Sequence, residues 1–303
     1  MIANSVTHPR FSIIILTYAR EAILTETLER LAGHLQGRSD YELLLVDNNI
    51  EAVGRAAQLA PFNAAKVLWD GRNKGVAARN HGIDVARGEF IILLDDDVFV
   101  DTPDFLDRFG ALFDAEEDLG SVTTRKYVRG ETRRRLDLIP HTDKSVDLTQ
   151  PFHTFRFVGG CVGFRTSMLR EVGGFLPDFF YGLEEVELAY RIIDGGWTIR
   201  YEPDIVSEEL EHPAGRRPKR EVQTDRLANK YIISYLRMPQ PWLLFNMVAF
   251  TPYLLYFAGG EASVSGAVRQ FAAWLRKSDR PRRRPIGKAA TRYIRACGGS
   301  TWR

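Results

Sequence analysis

The chain reads as an α/β fold built on a mostly parallel central sheet with flanking helices, and three observations lead there. Short apolar runs alternate with segments of helical period through the first third. The runs are continuously apolar instead of alternating, as strands are when helices cover both faces of a parallel sheet. Each early run also ends in polar residues, at the place where open α/β sheets gather their ligands.

The predicted strands are residues 11–16, 43–46, 66–69 and 90–94. Between them, 21–36, 51–59 and 76–86 have helical spacing, so the connections are β-α crossovers and the strands run parallel. Thr102 followed by Pro103 is a cap and first-turn pair, which predicts a helix reaching Phe113. Residues 221–236 read as another helix, with Leu227, Tyr231 and Tyr235 along one side. Residues 241–259 are mostly apolar but are interrupted by Asn246, Thr251 and Pro252, and a spanning helix usually needs about 20 predominantly apolar residues. Two readings remain for that segment: an interfacial helix against an anionic membrane surface, or a packed helical pair that dimerises or shields the site.

Composition narrows the function. The 303 residues, 45% of them hydrophobic, suffice for a sizeable core. Residues 269–303 hold eleven Lys and Arg against Asp279 alone, so the formal net charge of +2 leaves −8 for residues 1–268. A nucleic-acid-binding protein more often spreads its basic surface over the folded body, and none is expected as a partner here. The two cysteines, Cys161 and Cys297, lie far apart, and residues 1–10 hold no apolar signal segment. A cytoplasmic location, at the inner face of the membrane if the tail touches lipid, is the expectation.

The most informative stretch is Leu93-Leu94-Asp95-Asp96-Asp97-Val98, an apolar strand that delivers three carboxylates to one point. Like charges that close do not all stay ionised without a counter-charge. A hard cation such as Mg²⁺ or Mn²⁺, itself holding a diphosphate, suits oxygen ligands that converge at a strand end. A solvated acidic turn is the alternative. Thr17 and Tyr18 follow the first strand, Asp47 and Asn48 the second, and Asn73-Lys74-Gly75 with Ala78-Arg79-Asn80-His81-Gly82 lie between the third and fourth. Each alone is ordinary turn chemistry, but together they converge on one end of the sheet.

These segments, in this order and spacing, resemble family 2 glycosyltransferases with the GT-A fold: Leu16-Thr17-Tyr18-Ala19-Arg20, Val46-Asp47-Asn48, Asn73-Lys74-Gly75, Ala78 to Gly82 and the Asp95 to Asp97 run. The resemblance continues through Gly159-Gly160, Gly173-Gly174-Phe175, Glu184-Glu185 and Gly195-Gly196-Trp197, covering about residues 10–220. It implies a catalytic GT-A domain over 8–215, with a nucleotide-sugar half at about 8–100 and an acceptor half at about 101–215. Residues 216–303 would then be a helical, basic C-terminal region.

The resemblance also implies roles. Asp47 would accept the ring imide of uracil or thymine, and Thr17 would border the base. Arg79 would reach base or diphosphate, while Tyr18, Arg20, Asn73, Gly75 and Gly160 would complete the donor site. Asp97 would bind the Mn²⁺ or Mg²⁺, Asp95 and Asp96 would divide between ribose and metal in an order left open, and His212 would complete the coordination or belong to a charged loop. Glu184 and Glu185 match the acidic pair of the catalytic step, with Glu185 in a place usually held by Asp as the base. A helix whose first turn merely carries acids is the alternative there.

The activity so implied is metal-dependent, inverting transfer of a hexose from a UDP- or dTDP-sugar to the hydroxyl of a saccharide, lipid-linked or small-molecule acceptor. Surface polysaccharide, glycolipid or secondary-metabolite glycoside synthesis would use such a step, and a homodimer is compatible with it. A sugar nucleotidyltransferase would instead carry a Gly-rich, Arg-ending loop after the first strand, where this chain has Thr17-Tyr18-Ala19-Arg20. A non-catalytic nucleotide-sugar-binding scaffold is the third reading, kept open by Glu185.

Overall fold

The computed structural model describes residues 8–133, 135–210, 217–257 and 261–300. The first half is the expected crossover series: β1 (Phe11–Thr17), α1 (Glu21–Leu35), β2 (Tyr41–Asp47), α2 (Ala56–Leu59), β3 (Ala65–Trp69), α3 (Arg79–Val85) and β4 (Phe90–Asp95). β1 pairs in parallel with both β2 and β4, and β2 with β3. Their continuous apolar character follows from burial on two sides. Ile13, Ile15, Leu43, Leu45, Ile92 and Leu94 point into a layer with α1. Ile14, Leu44, Val46, Ile91 and Leu93 point into the layer on the opposite face.

Three predicted elements differ from what forms. The helix expected over 51–59 shrinks to α2, because Val53 and Gly54 precede it without a cap or a buried face. The helix expected over 76–86 splits into a 3₁₀ turn, Gly75–Ala78, and α3, because Gly75 has φ +59 and Val76 bonds back to the carbonyl of Phe180. Thr102 does not cap the following helix, α4 (Phe105–Ala115), by its side chain. Its hydroxyl instead accepts a 2.9 Å hydrogen bond from the Val206 amide, fastening a distant strand.

The second half turns the sheet mixed. β5 (Val98–Val100), β6 (Leu119–Val128), β7 (Phe152–Thr154), β8 (Cys161–Arg165) and β9 (Thr198–Glu209) join the earlier strands in one sheet of order β3-β2-β1-β4-β8-β6-β9-β5, with β7 on β9. β8 runs antiparallel to β4, so Gly160 arrives beside the carboxyl end of β4, where the Asp95 amide donates to its carbonyl at 2.9 Å. α5 (Thr166–Val172) and α6 (Glu184–Asp194) cover one face.

The C-terminal region is helical: α7 (Lys219–Arg237), α8 (Trp242–Phe257), α9 (Val264–Leu275) and α10 (Lys288–Ala296). α7 is tied to α6 through Glu187, which is fully buried and accepts from Arg191 and Arg237. Glu187 is thus a structural acid, although it stands in the acidic first turn of α6. α8 packs on α7 with the residues that interrupt its apolar sequence: Asn246 accepts from Ser234 at 2.6 Å, and Thr251 meets Tyr231 at 2.8 Å. Among the described residues no helix is long and apolar enough to cross a membrane.

Candidate active site

Strand register brings the polar ends together. Thr17 pairs with Asp47 across β1 and β2, and Leu16 with Asp95 across β1 and β4. Thr17 Oγ1 donates to Asp96 Oδ2 at 2.7 Å, and the Asp96 carbonyl accepts from Thr27 at 2.7 Å. Asp96 and Asp97 form the turn between β4 and β5, and the Leu210 amide holds the Asp97 carbonyl at 2.9 Å. Asp96 and Asp97 are buried.

Each carboxylate of the run faces a cation of this chain. Arg79, on the first turn of α3, bonds Asp95. Burial opposes ionisation of Asp95, but Arg79 and Lys126 outweigh it and hold the carboxyl below its ordinary range. Arg20 Nη1 reaches Asp96 at 2.9 Å and Asp97 at 2.7 Å. Even so, burial, with the charge of Asp95 second, pushes Asp97 up to about 7. Arg20, expected on the donor, is therefore placed on the carboxylates expected to hold the metal.

A divalent cation at this point would favour the ionised form that burial disfavours at Asp97. Mg²⁺-type sites use one or two carboxylates together with substrate phosphates, so Asp95 and Asp97 fit such an ion by their oxygen donors. No group of three His, Cys, Asp or Glu among the described residues is arranged to hold a metal unaided. His212 lies outside the described residues.

Asp47 is held more tightly than its expected role suggests. Its Oδ2 accepts from buried Arg55 at 2.8 Å, and its Oδ1 from the amide and side chain of Asn49 at 3.0 and 2.7 Å. Three of about four lone-pair positions are thus used, and the side chain is 1% exposed. Tyr18 stands half-buried beside it. Asn48 shapes the neighbouring loop: its side chain donates to Asn73 and to the Gly75 carbonyl, each at 3.1 Å, and accepts from the Lys74 amide. Gly75 is required there, since a Cβ would lie 2.0 Å from the Phe180 carbonyl oxygen.

The same contact connects the donor loop to the acidic helix. Phe180 leads through Tyr181, Gly182 and Leu183 to Glu184, and Leu183 has φ +66, an uncommon conformation for a branched residue. Glu184 is buried with Oε2 unpartnered among the described residues, and burial, then the adjacent Glu185, raise its pKa. Glu185 Oε1 lies 2.8 Å from where Gly159 would carry a Cβ. Gly159 therefore touches Glu185 while Gly160, next along the chain, bonds Asp95.

Two functional contributors escape a sequence reading. Lys126 on β6, its side chain 9% exposed, pairs with Glu209 at 2.8 Å and acts electrostatically on Asp95 and Glu185, with its Nζ 3.0 Å from the Cβ position of Gly160. A lysine on a strand has no motif to announce it. Arg55 is the other, since nothing in its loop marks it as the clamp on Asp47. Trp197 donates to Glu171 at 3.1 Å, away from the acids.

The site is thus a mixed sheet with carboxylates at the ends of its parallel strands, set beside a double glycine and an acidic helix start. A model of Glycosyl transferase family 2 matches residues 12–173, over half the chain, and the chain belongs to that family. It is 26% identical over 280 residues to the hyaluronan synthase of Pasteurella multocida, an alignment covering 78% of this chain and 28% of that protein. The chain thus spans well under half the length of the curated relatives it matches first. Its fold is similar to that of the mannosyltransferase PcManGT from Pyrobaculum calidifontis in complex with GDP-Man and Mn²⁺, with a TM-score of 0.59 at 20% identity over 89% of this chain and 76% of that one. The S. aureus TarS fragment 1-349 in complex with UDP-GlcNAc gives 0.55 at 16% identity, covering 82% and 72%. The fold is of the GT-A type.

Proposed function

We propose that the protein is a metal-dependent, inverting hexosyltransferase that uses a UDP- or dTDP-sugar and an acceptor hydroxyl. The adjacency of Gly159 and Gly160 is the observation behind this reading. It sets Glu185 and Asp95 on neighbouring peptides, a base beside the end of the donor that reacts. The solved neighbours hold GDP-Man with Mn²⁺ or UDP-GlcNAc, which supports a nucleotide sugar as donor.

In this mechanism Asp47 offers its remaining lone pair to the pyrimidine imide, and Thr17 borders the base. Arg79 turns from Asp95 toward the diphosphate, whose oxygens suit a planar cation. A divalent cation bound by Asp97 and Asp95, with His212 as the further ligand, would stabilise charge on the leaving diphosphate. Glu184, whose Oε2 lacks a partner among the described residues, hydrogen-bonds a hydroxyl of the donor sugar. Glu185 takes the proton of the acceptor hydroxyl as that oxygen bonds to the anomeric carbon. The bond from that carbon to the diphosphate oxygen breaks on the opposite face, and the configuration inverts.

The test is calorimetric titration with UDP, dTDP and GDP, each with Mn²⁺ and with chelator, followed by donor turnover. Metal-dependent binding of a pyrimidine diphosphate, lost in Asp97→Asn, is expected. Glu185→Gln is expected to retain that binding and lose turnover by about 10²- to 10⁴-fold, the usual contribution of a general base. A Glu185→Gln variant that turns over normally would overturn the assignment of the base.

A further inference from the structure

The outer face of α8 is the feature that the transferase chemistry leaves unused. Leu244, Phe245, Val248, Tyr253 and Tyr256 are exposed, Val248 by 72% and Tyr256 by 81%. Positions 244, 245, 248, 252, 253 and 256 fall on one side of the helix at 100° per residue, and Pro252 continues the stripe. The opposite side is covered, since Met247 and Phe250 pack into the small core with α7 and α9. The helix bears no charged residue. A stripe of that kind, on a helix of 16 residues or about 24 Å, is larger than the scattered apolar residues of an ordinary surface.

Charge identifies what covers it. The basic segment after α9 folds back onto the end of α7. Arg283 Nη2 donates to the Met238 carbonyl at 2.7 Å, and the Arg284 amide to the Leu236 carbonyl at 3.0 Å. Met238 is four residues before α8 begins, so Arg280, Arg282, Arg283 and Arg284 are anchored at one end of the apolar stripe. None of the four makes a salt bridge to a described residue, and Arg282 and Arg284 are exposed. Tyr253 and Tyr256, amphipathic rings suited to a headgroup layer, lie toward the other end.

We propose that α8 and the 280–284 segment together form a docking surface for an anionic lipid bilayer. The helix lies in the plane of the interface with its outer face among the acyl chains, and the arginines meet the headgroups. The protein sits on the membrane without crossing it, and the proposal is independent of the donor and the reaction.

Sedimentation of the full chain with vesicles of phosphatidylcholine, with and without a roughly one-third share of phosphatidylglycerol, tests this directly. The expected result is binding to the anionic vesicles, weakened by salt and reduced about tenfold or more in Val248→Asp and in a variant with Ser at the exposed positions 282 and 284. Circular dichroism and thermal unfolding should match the parent, because none of these side chains is in the core. Absence of binding to anionic vesicles would overturn the proposal. So would a stable dimer that Val248→Asp dissociates without any lipid effect, which would give the stripe to a second copy.

Discussion

In the parallel half of the sheet each buried carboxylate at a strand end faces a guanidinium, whereas in the helical region Lys230 is buried against the ring of Phe250, 4.8 Å from its centre, with no ion pair to a described residue. Asp47 and Arg55 are each 1% exposed at the side chain and hold one another. Lys230 has no such partner, and burial alone lowers its pKa to about 8. A buried charge is thus kept by pairing at the strand ends, as it is between Glu187 and Arg237, and tolerated through easier neutralisation at Lys230. The paired arrangement suits a site for anions and a metal, since guanidiniums and carboxylates are already in place to exchange partners. The unpaired lysine has no such use in the proposed reaction.

The comparison can be broken most sharply at Arg55. Arg55→Ala leaves the Asp47 charge buried alone and is expected to destabilise the fold by about 3–5 kcal/mol in urea unfolding. A loss below about 1 kcal/mol would mean that the pair does not hold this region. Gly75→Ala should come next, at about 2 kcal/mol, because the added methyl meets the Phe180 carbonyl in a backbone conformation that alanine disfavours. It should also weaken nucleotide binding, since the same contact positions the loop carrying Asn73.

Lys230 gives an effect of the opposite sign. Its folded pKa is depressed, so below about pH 8 both folded and unfolded chains carry its proton, and the burial penalty is present in full. Between about pH 8 and the unfolded value near 10.5 the folded chain releases the proton first, and stability rises with pH. Lys230→Met is therefore expected to stabilise the protein by about 2 kcal/mol at pH 7, an advantage that shrinks toward pH 10. Thermal unfolding of both proteins at the two pH values measures this.

Much of the donor half was legible in the residues. Continuous apolar runs mean burial on both faces, and that places Thr17, Asp47 and Asp95 at one end of parallel strands whatever the loops do. The helix over 51–59 was misread because Val53 and Gly54 interrupt a pattern that periodicity alone accepts. Thr102 was misread because its hydroxyl has a distant partner, the Val206 amide, that no local rule reveals.

What local pattern determined is the class of fold, the parallel direction of its first strands, the carboxylates at their ends and the acidic start of α6. Those features depend on neighbours in sequence and on the two-sided burial of short strands. Tertiary structure decided the pairing of Arg20 with Asp96 and Asp97, of Arg55 with Asp47 and of Lys126 with Glu209, the approach of Gly159 to Glu185, and which side of α8 stays exposed. Those depend on where separate elements meet, and a charge or a methyl group has no local signature of the partner that the fold will bring to it.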